Sequence, residues 1–318
     1  MSVTVTQTWV HRFHDVVNIG YATMDSLVVN LLNEMMVHRD VRGAIDHHER
    51  LDHVIAQDMS NPFGPPVYLN PGHDKRAVTL VSSDATVLIS DEHTLRGMVE
   101  LKNPYTQLII GAIKRRSDKH VIDALVGNAQ VATVAEGTGV ITYSNQALPS
   151  ARKAVGSGTT NAIALLDIIA AGEALDKSGV PQMGRIALYG PGQTRNIMLI
   201  TQAASSDFTR HKIHDTGTIN GIEWEGFRWK MIPDLVKIDG STVAQRFLPY
   251  TAGSPNLRTC IFWHPSAVGL SLGRASEQPS VQVAGWIRSH PIEVRQPMMQ
   301  NAVRVFEGGV FALDVLEN

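Results

Sequence analysis

The 318-residue chain is 43% hydrophobic and 18% charged, with a formal net charge of −2. This length suits a large core and, as a prior, two domains, while the near-neutral charge gives no electrostatic footprint of a dedicated nucleic-acid binder. The lone Cys260 excludes an internal disulfide framework, no run reaches the ~18 consecutive apolar residues of a membrane span, and no signal peptide is expected from the opening MSVTVTQTWVHRF.

Residues 1–8 are small and β-prone and read as an arm. From Trp9 to Met36 the apolar residues Phe13, Val17, Met24, Leu27, Val28 and Leu31 fall close to one face, which predicts helix, with a restart at Asp25-Ser26. Arg50–Gln57 predicts a strand. Residues 60–75, SNPFGPPVYLNPGHDK, carry Pro62, Pro65, Pro66 and Pro71, and suit neither a helix nor a central strand. Arg76–Ile89, rich in Val and Thr, predicts a second strand. Strand, proline-rich tip and strand make a long hairpin. Sixteen irregular residues are unusual inside a compact domain, so the tip is expected to rest on something outside its own domain.

Pro104–Asn128 predicts one long helix, roughly 35 Å at about 1.5 Å per residue. Pro104 suits the first turn, and Gly127 with Asn128 supplies the stop. Tyr105, Leu108, Ile109, Ala112 and Ile113 share one face. Beyond the charged block Lys114–Lys119, the apolar side becomes Val121, Ile122, Ala124 and Leu125, roughly opposite. A helix that changes its buried face midway touches two partners; the alternative is two shorter helices with a kink.

A strand-and-turn region, AQVATVAEGTGVITYSNQALPS, follows. Thr159–Gly179 predicts a second helix, capped by Thr159 or Thr160 and buried on several sides. Next come a strand at Gly184–Tyr189, a GPG turn and a helix from about Gln193 to Ala204. In GTINGIEWEGFRWKMI, a two-residue turn at Glu225-Gly226 would pair Trp224 with Phe227, Glu223 with Arg228 and Ile222 with Trp229. Leu257–Trp263 predicts a strand, Ser266–Leu270 a short turn or helix, and Val281–Val315 antiparallel strands broken at Gly308-Gly309. The order does not alternate βαβα, so the fold class is α+β and not a doubly wound sheet.

Five of the thirteen histidines lie in residues 38–73. Asp46-His47-His48-Glu49 with Asp52-His53 suggests metal chemistry, but the histidines are adjacent or five apart, so a solvated polar stretch is expected. Gly190-x-Gly192 after a strand begins a dinucleotide fingerprint, yet Arg195 stands where the third glycine belongs, and a tight turn is expected. Val155-Gly156-Ser157-Gly158 is expected to cap a helix and not to hold an anion. Cys260 is expected to be a buried, inert thiol, and Lys114–Lys119 a solvated face. No nucleophile, base and orienting group assemble. No catalytic, cofactor-binding or metal residue is assigned, and the chain is not expected to be an enzyme.

The order of parts resembles the major capsid proteins of tailed bacteriophages with the HK97-type fold. The resemblance rests on residues 76–127, where hairpin, acidic turn and long helix follow one another, on TINGIEWEGFRWKMIPDL at 218–235, on WHPSAVGLSLGR at 263–274 and on NAVRVFEGGVFALDVLE at 301–317. It implies an N-terminal arm at 1–40, an extended hairpin loop at 41–89, a peripheral domain at 90–159 and 275–318 with a spine helix at 104–127, and an axial domain at 160–274. It further implies hexamers and pentamers closing an icosahedral head around double-stranded DNA, in the virion after assembly in the host cytoplasm. A portal protein, a scaffolding protein and possible decoration are the partners it implies. The scaffold is expected to be separate, because little sequence precedes Trp9. Phe63 and Tyr68 are the expected anchors in a neighbouring subunit. An encapsulin-like compartment, or a nucleotide-binding enzyme using Gly190–Arg195, are the alternatives.

Overall fold

A computed structural model describes residues 25–51, 54–58, 68–69, 72–89, 102–134, 140–200, 218–234, 247–249, 257–273, 280–287 and 291–317. In chain order the strands and helices are β1 (Val37–Val41), β2 (Ile45–Leu51), β3 (His73–Thr79), β4 (Val81–Ile89), α1 (Lys102–Val126), β5 (Ala129–Val134), β6 (Ile141–Gln146), β7 (Lys153–Val155), α2 (Leu165–Lys177), β8 (Ile186–Tyr189), α3 (Gln193–Met198), β9 (Glu223–Trp224), β10 (Phe227–Met231), β11 (Leu257–Trp263), β12 (Val268–Gly273), β13 (Ser280–Val283), β14 (Ile292–Arg304) and β15 (Val310–Leu316).

The long helix is continuous, and its two halves do bury different faces. Ile109 packs with Ile89 and Val294, while Val121, Ile122, Ala124 and Leu125 pack with Val28, Leu188, Ile261 and Trp263. Gly127 follows the last residue of the helix, and its N–H makes the last i→i−4 bond, to Asp123 O at 2.8 Å. A Cβ there would fall 2.6 Å from that same oxygen, so no side chain fits.

Three sheets surround α1. One runs β1-β12-β14-β13 with β4 also on β14, the second β7-β15-β11-β8-β10-β9, and the third β2-β3-β5-β6. β14 is the long member: it pairs β4 over Ile292–Gln300, β13 over Ile292–Arg295 and β12 over Gln300–Arg304. Pro297 falls in the gap between the β13 and β12 partners, where its missing N–H is not needed on that side. The second sheet joins the region expected as the axial domain to the terminal strand, since β11 pairs β15 along its whole length. One of its faces is packed by Trp229, Tyr189 and Phe262, whose rings meet edge to face.

The Glu225-Gly226 turn forms as read. Phe227 faces Trp224 and Arg228 faces Glu223, and Trp229 N–H donates to Ile222 O at 3.0 Å. Both turn residues are left-handed, Glu225 at φ 51° and Gly226 at φ 76°, which is the two-residue turn whose twist matches a hairpin.

Several expectations are corrected. The helix expected over Trp9–Met36 is, in its described part, two 3-10 turns at Val29–Leu31 and Glu34–Met36. Three N–H groups that a helix would leave there are taken by a distant carboxylate, described below. The first hairpin strand is Ile45–Leu51 and not Arg50–Gln57, and Val54 and Ile55 are exposed. Its register against β3, Ile45 opposite Thr79 and Leu51 opposite His73, turns His48 inward. The strand read as Arg76–Ile89 is two strands that change sheet at Leu80, whose buried side chain and N–H bond to Ala44 O fix the crossing. The second helix starts at Leu165, not Thr159, because Thr160 and Asn161 are left-handed at φ 55° and 63°. It is not buried on several sides, since Leu166 is 72% exposed. The third ends at Met198 within the described residues, and Ser266–Leu270 is a 3-10 turn over Pro265–Ala267 running into β12. Phe63, the arm residues 1–8 and the acidic turn before α1 lie outside the described residues.

Candidate functional site

The glycine turn after β8 is filled from within. Gly190 N–H donates to Gln193 Oε1 at 2.8 Å, and Gln193 Nε2 donates to Arg258 O at 2.9 Å. A Cβ at Gly190 would meet the Arg258 guanidinium at 2.8 Å. Arg258 is fully buried and holds Asp234 and Glu317, each at 2.6 Å. Burial alone would lower the Arg258 pKa, but the two carboxylates outweigh it and raise it. The glycine at 190 therefore admits a guanidinium, not a pyrophosphate.

The second glycine turn is consumed in the same way. The N–H groups of Gly156, Ser157 and Gly158 donate to Asp314 O, Asp167 and Ala162 O respectively. Asp167 also accepts from Ala164 N–H at 2.9 Å, so this carboxylate, and not an outside anion, organises the start of α2. Cys260 is buried, donates its S–H to Leu188 O, and has its thiol pKa pushed up by burial.

The charged block of α1 is more than a solvated face. Asp118 is buried, and accepts from the Ser26 hydroxyl and from the N–H groups of Leu27, Val28 and Val29 at 2.8, 2.9 and 3.0 Å. One carboxylate thus fastens the segment arriving from the N-terminus to the middle of the helix, while Lys114 reaches Asp25 beside it.

At the C-terminal end of α1, the buried Arg304 of β14 donates to Gly127 O at 2.6 Å, Leu125 O at 3.2 Å and Gln146 O at 3.1 Å. It satisfies carbonyls that every helix leaves open and sits where the helix dipole favours a cation. Beside it, Arg76 of β3 contacts Asp74 at 2.7 Å, Glu307 at 2.9 Å and Gln146 Oε1 at 2.6 Å. These two guanidinium groups bolt the β2-β3-β5-β6 sheet to the helix and to β14.

The expected polar stretch at Asp46–Glu49 is corrected for its central residue. His48 is 3% exposed, pressed on Gly269, where a Cβ would lie 2.5 Å from its ring. His48 Nε2 lies 3.0 Å from Ser271 Oγ, Ser271 donates to Asp46 Oδ2 at 2.6 Å, and Asp46 Oδ2 lies 2.7 Å from His38 Nδ1. The His38 and His48 rings stack 4.0 Å apart. Burial lowers the His48 pKa to about 4, with His38 adding and Asp46 opposing. Burial would raise the Asp46 pKa, but the bonds from Ser271, His38 and the His47 N–H lower it. Sequence spacing missed this cluster because it is built across two strands and not along a helix.

Beyond this base the hairpin carries apolar side chains into solvent. Leu51, Val54 and Ile55 are exposed, and Tyr68 is 89% exposed. Apolar side chains exposed together on one hairpin suit a contact with another molecule.

A family model described as phage capsid protein matches residues 5–317. No curated protein matches the chain in sequence. Among solved structures, the capsid of the cyanophage P-SCSP1u is 13% identical with a TM-score of 0.67, covering 100% of this chain and 96% of that chain. The capsid of Ralstonia phage GP4 is 11% identical with a TM-score of 0.67, covering 97% and 95%. The holo-SrpI encapsulin complex from Synechococcus elongatus PCC 7942 is 11% identical with a TM-score of 0.57, covering 100% and 96%. At such identities the likeness is one of fold.

Proposed function

The chain belongs to the phage capsid protein family, is a major capsid protein with the HK97-type fold, and on that premise we propose how its copies build a shell. Copies join as hexamers and pentamers and close an icosahedral head around double-stranded DNA. The observation that carries this reading is the hairpin. Its root is bolted to α1 and β14 through Arg76 and Arg304, while Leu51, Val54, Ile55 and Tyr68 stand in solvent. A rigid root with an uncovered apolar extension suits a heterologous contact, repeated around a ring until it closes.

In this reading residues 1–40 form the arm, 41–89 the extended loop, 90–159 and 275–318 the peripheral domain on the spine helix, and 160–274 the axial domain. The terminal strand β15 would be lent to the axial sheet through its pairing with β11. The inner surface needs only to tolerate DNA, without reading bases, which suits a net charge of −2. A portal protein and a separate scaffolding protein belong to the same reading, and assembly would take place in the host cytoplasm. The match to a phage capsid family over residues 5–317 favours DNA over enzyme cargo as the content.

Negative-stain electron microscopy of the purified protein, with and without a co-expressed scaffold candidate, tests this. Closed icosahedral particles or hexamer and pentamer rings are expected, with nucleic acid in the filled heads. Monomers or dimers under both conditions would reject it, and filled shells containing protein cargo but no nucleic acid would favour a compartment. Replacing Phe63 and Tyr68 together by alanine is expected to stop shell closure while the subunit's circular dichroism and melting stay unchanged. Normal shells from the double variant would remove these two residues as anchors.

A further inference from the structure

We propose that His38, Asp46 and His48 bind a divalent transition metal of the zinc class at the root of the hairpin. Two imidazoles and a carboxylate are a donor set that zinc favours, with further positions left for water. Each residue offers a ligand atom, and these atoms lie within 4.8 Å of one another. Asp46 Oδ2 stands 2.7 Å from His38 Nδ1 and 3.9 Å from His48 Nε2. Neighbouring donors around a tetrahedral zinc, at about 2.0–2.1 Å from the metal, sit about 3.3 Å apart, between those two separations.

The surroundings hold the donors in place. His48 is locked by Gly269 behind its ring, and Ser271 orients the Asp46 carboxylate by donating to Oδ2; Ser271 Oγ then accepts from His48 Nε2–H, and metal binding requires the other imidazole tautomer, with the proton on Nδ1 and the Nε2 lone pair on the metal. Outer hydrogen bonds of this kind set the direction of a ligand. The two rings lie only 12° from parallel, so their lone pairs do not yet converge. His38 is the ring that can turn to meet the metal, because its side chain is 39% exposed and lies open to solvent, which also gives an entry path. His47 takes no part: the strand alternation sends it to the other face, where it stacks near Tyr143.

The placement gives the metal a mechanical role. His38 lies on β1, in the sheet of β12 and β14, whereas Asp46 and His48 lie on β2, in the sheet of β3, β5 and β6. A bound ion ties the two sheets on either side of the turn from which the hairpin springs, and so fixes the angle at which the hairpin leaves the body. The site stands on this geometry and does not depend on what the hairpin meets.

The test uses the full chain after chelator treatment. Zinc titration by calorimetry is expected to show one saturable equivalent per chain, and cobalt(II) to give the visible absorption of a four- or five-coordinate nitrogen–oxygen site. His38→Ala and Asp46→Asn should each weaken binding by about tenfold or more. His38→Ala, at a half-exposed ring, should keep the parent circular dichroism, so lost binding cannot be laid to lost folding. His73→Ala serves as a control and should bind as the parent does. The absence of saturable binding, or binding that survives both His38→Ala and Asp46→Asn, overturns the proposal.

Discussion

An Asp118→Ala subunit is expected to be about 3–5 kcal/mol less stable than the parent, read by equilibrium urea unfolding before assembly. The size follows from what the carboxylate holds. It accepts from one hydroxyl and three backbone N–H groups of residues 26–29, and bonds to a charged acceptor are each worth about 1.5–3 kcal/mol before relaxation. Removing it leaves the N-terminal segment without its fastening and uncovers Val28, which is buried against the second half of α1. Asp118→Asn keeps one carbonyl acceptor and should fall between parent and alanine. Lys114→Ala, which removes only the neighbouring exposed ion pair to Asp25, should change stability by less than about 1 kcal/mol. Equal effects at Asp118 and Lys114 would mean that the carboxylate is not the clasp.

Arg304→Met is expected to cost about 3 kcal/mol, and Arg304→Lys to rescue little of it. The guanidinium spans two places at once, the open carbonyls at the end of α1 and the Gln146 carbonyl at the end of β6. A lysine ammonium cannot present donors in both directions across that width. Hydrogen exchange should show the loss locally: faster exchange in the last turn of α1, in β6 and in the hairpin strands, with the β11–β15 pairing unaffected. Uniform acceleration across the chain would argue instead for general destabilisation.

Both predictions concern residues whose roles the sequence conceals, and the reason is physical. Where local chemistry decides the outcome, the chain can be read directly. The Glu225-Gly226 turn, the long helix ended by Gly127 and the strand Leu257–Trp263 all rest on turn residues, periodicity or β-branched and aromatic runs. Where a partner far along the chain decides, the local signal misleads. Asp118 sits in a charged block and looks solvated, yet donors about 90 residues away surround it. Residues 76–89 look like one strand, but Leu80 divides it between two sheets. Thr159 and Thr160 look like caps, although Asp167 claims the preceding N–H groups and delays the helix to Leu165. Helix spacing does not reveal the histidine cluster, which strand alternation and a residue from β1 assemble. The glycine turn at 190 was readable as a turn; that Arg258 fills it was not.

The span of β14 carries a consequence for how each copy is made. β4, at residues 81–89, has its nine-residue antiparallel partner at 292–300, near the end of the chain. A ribosome adding about 5–20 residues per second takes roughly 10–40 s between completing one strand and the other. Throughout that interval β4, which carries Val81, Val87, Leu88 and Ile89, has an unsatisfied edge that cannot yet find its mate. Pairings between such distant segments are also slow once both exist, because loop closure comes before any contact rewards it. Newborn chains therefore pass through a window in which edge-to-edge aggregation competes with folding, and the yield of folded subunit should follow synthesis rate and temperature as well as the stability of the finished subunit.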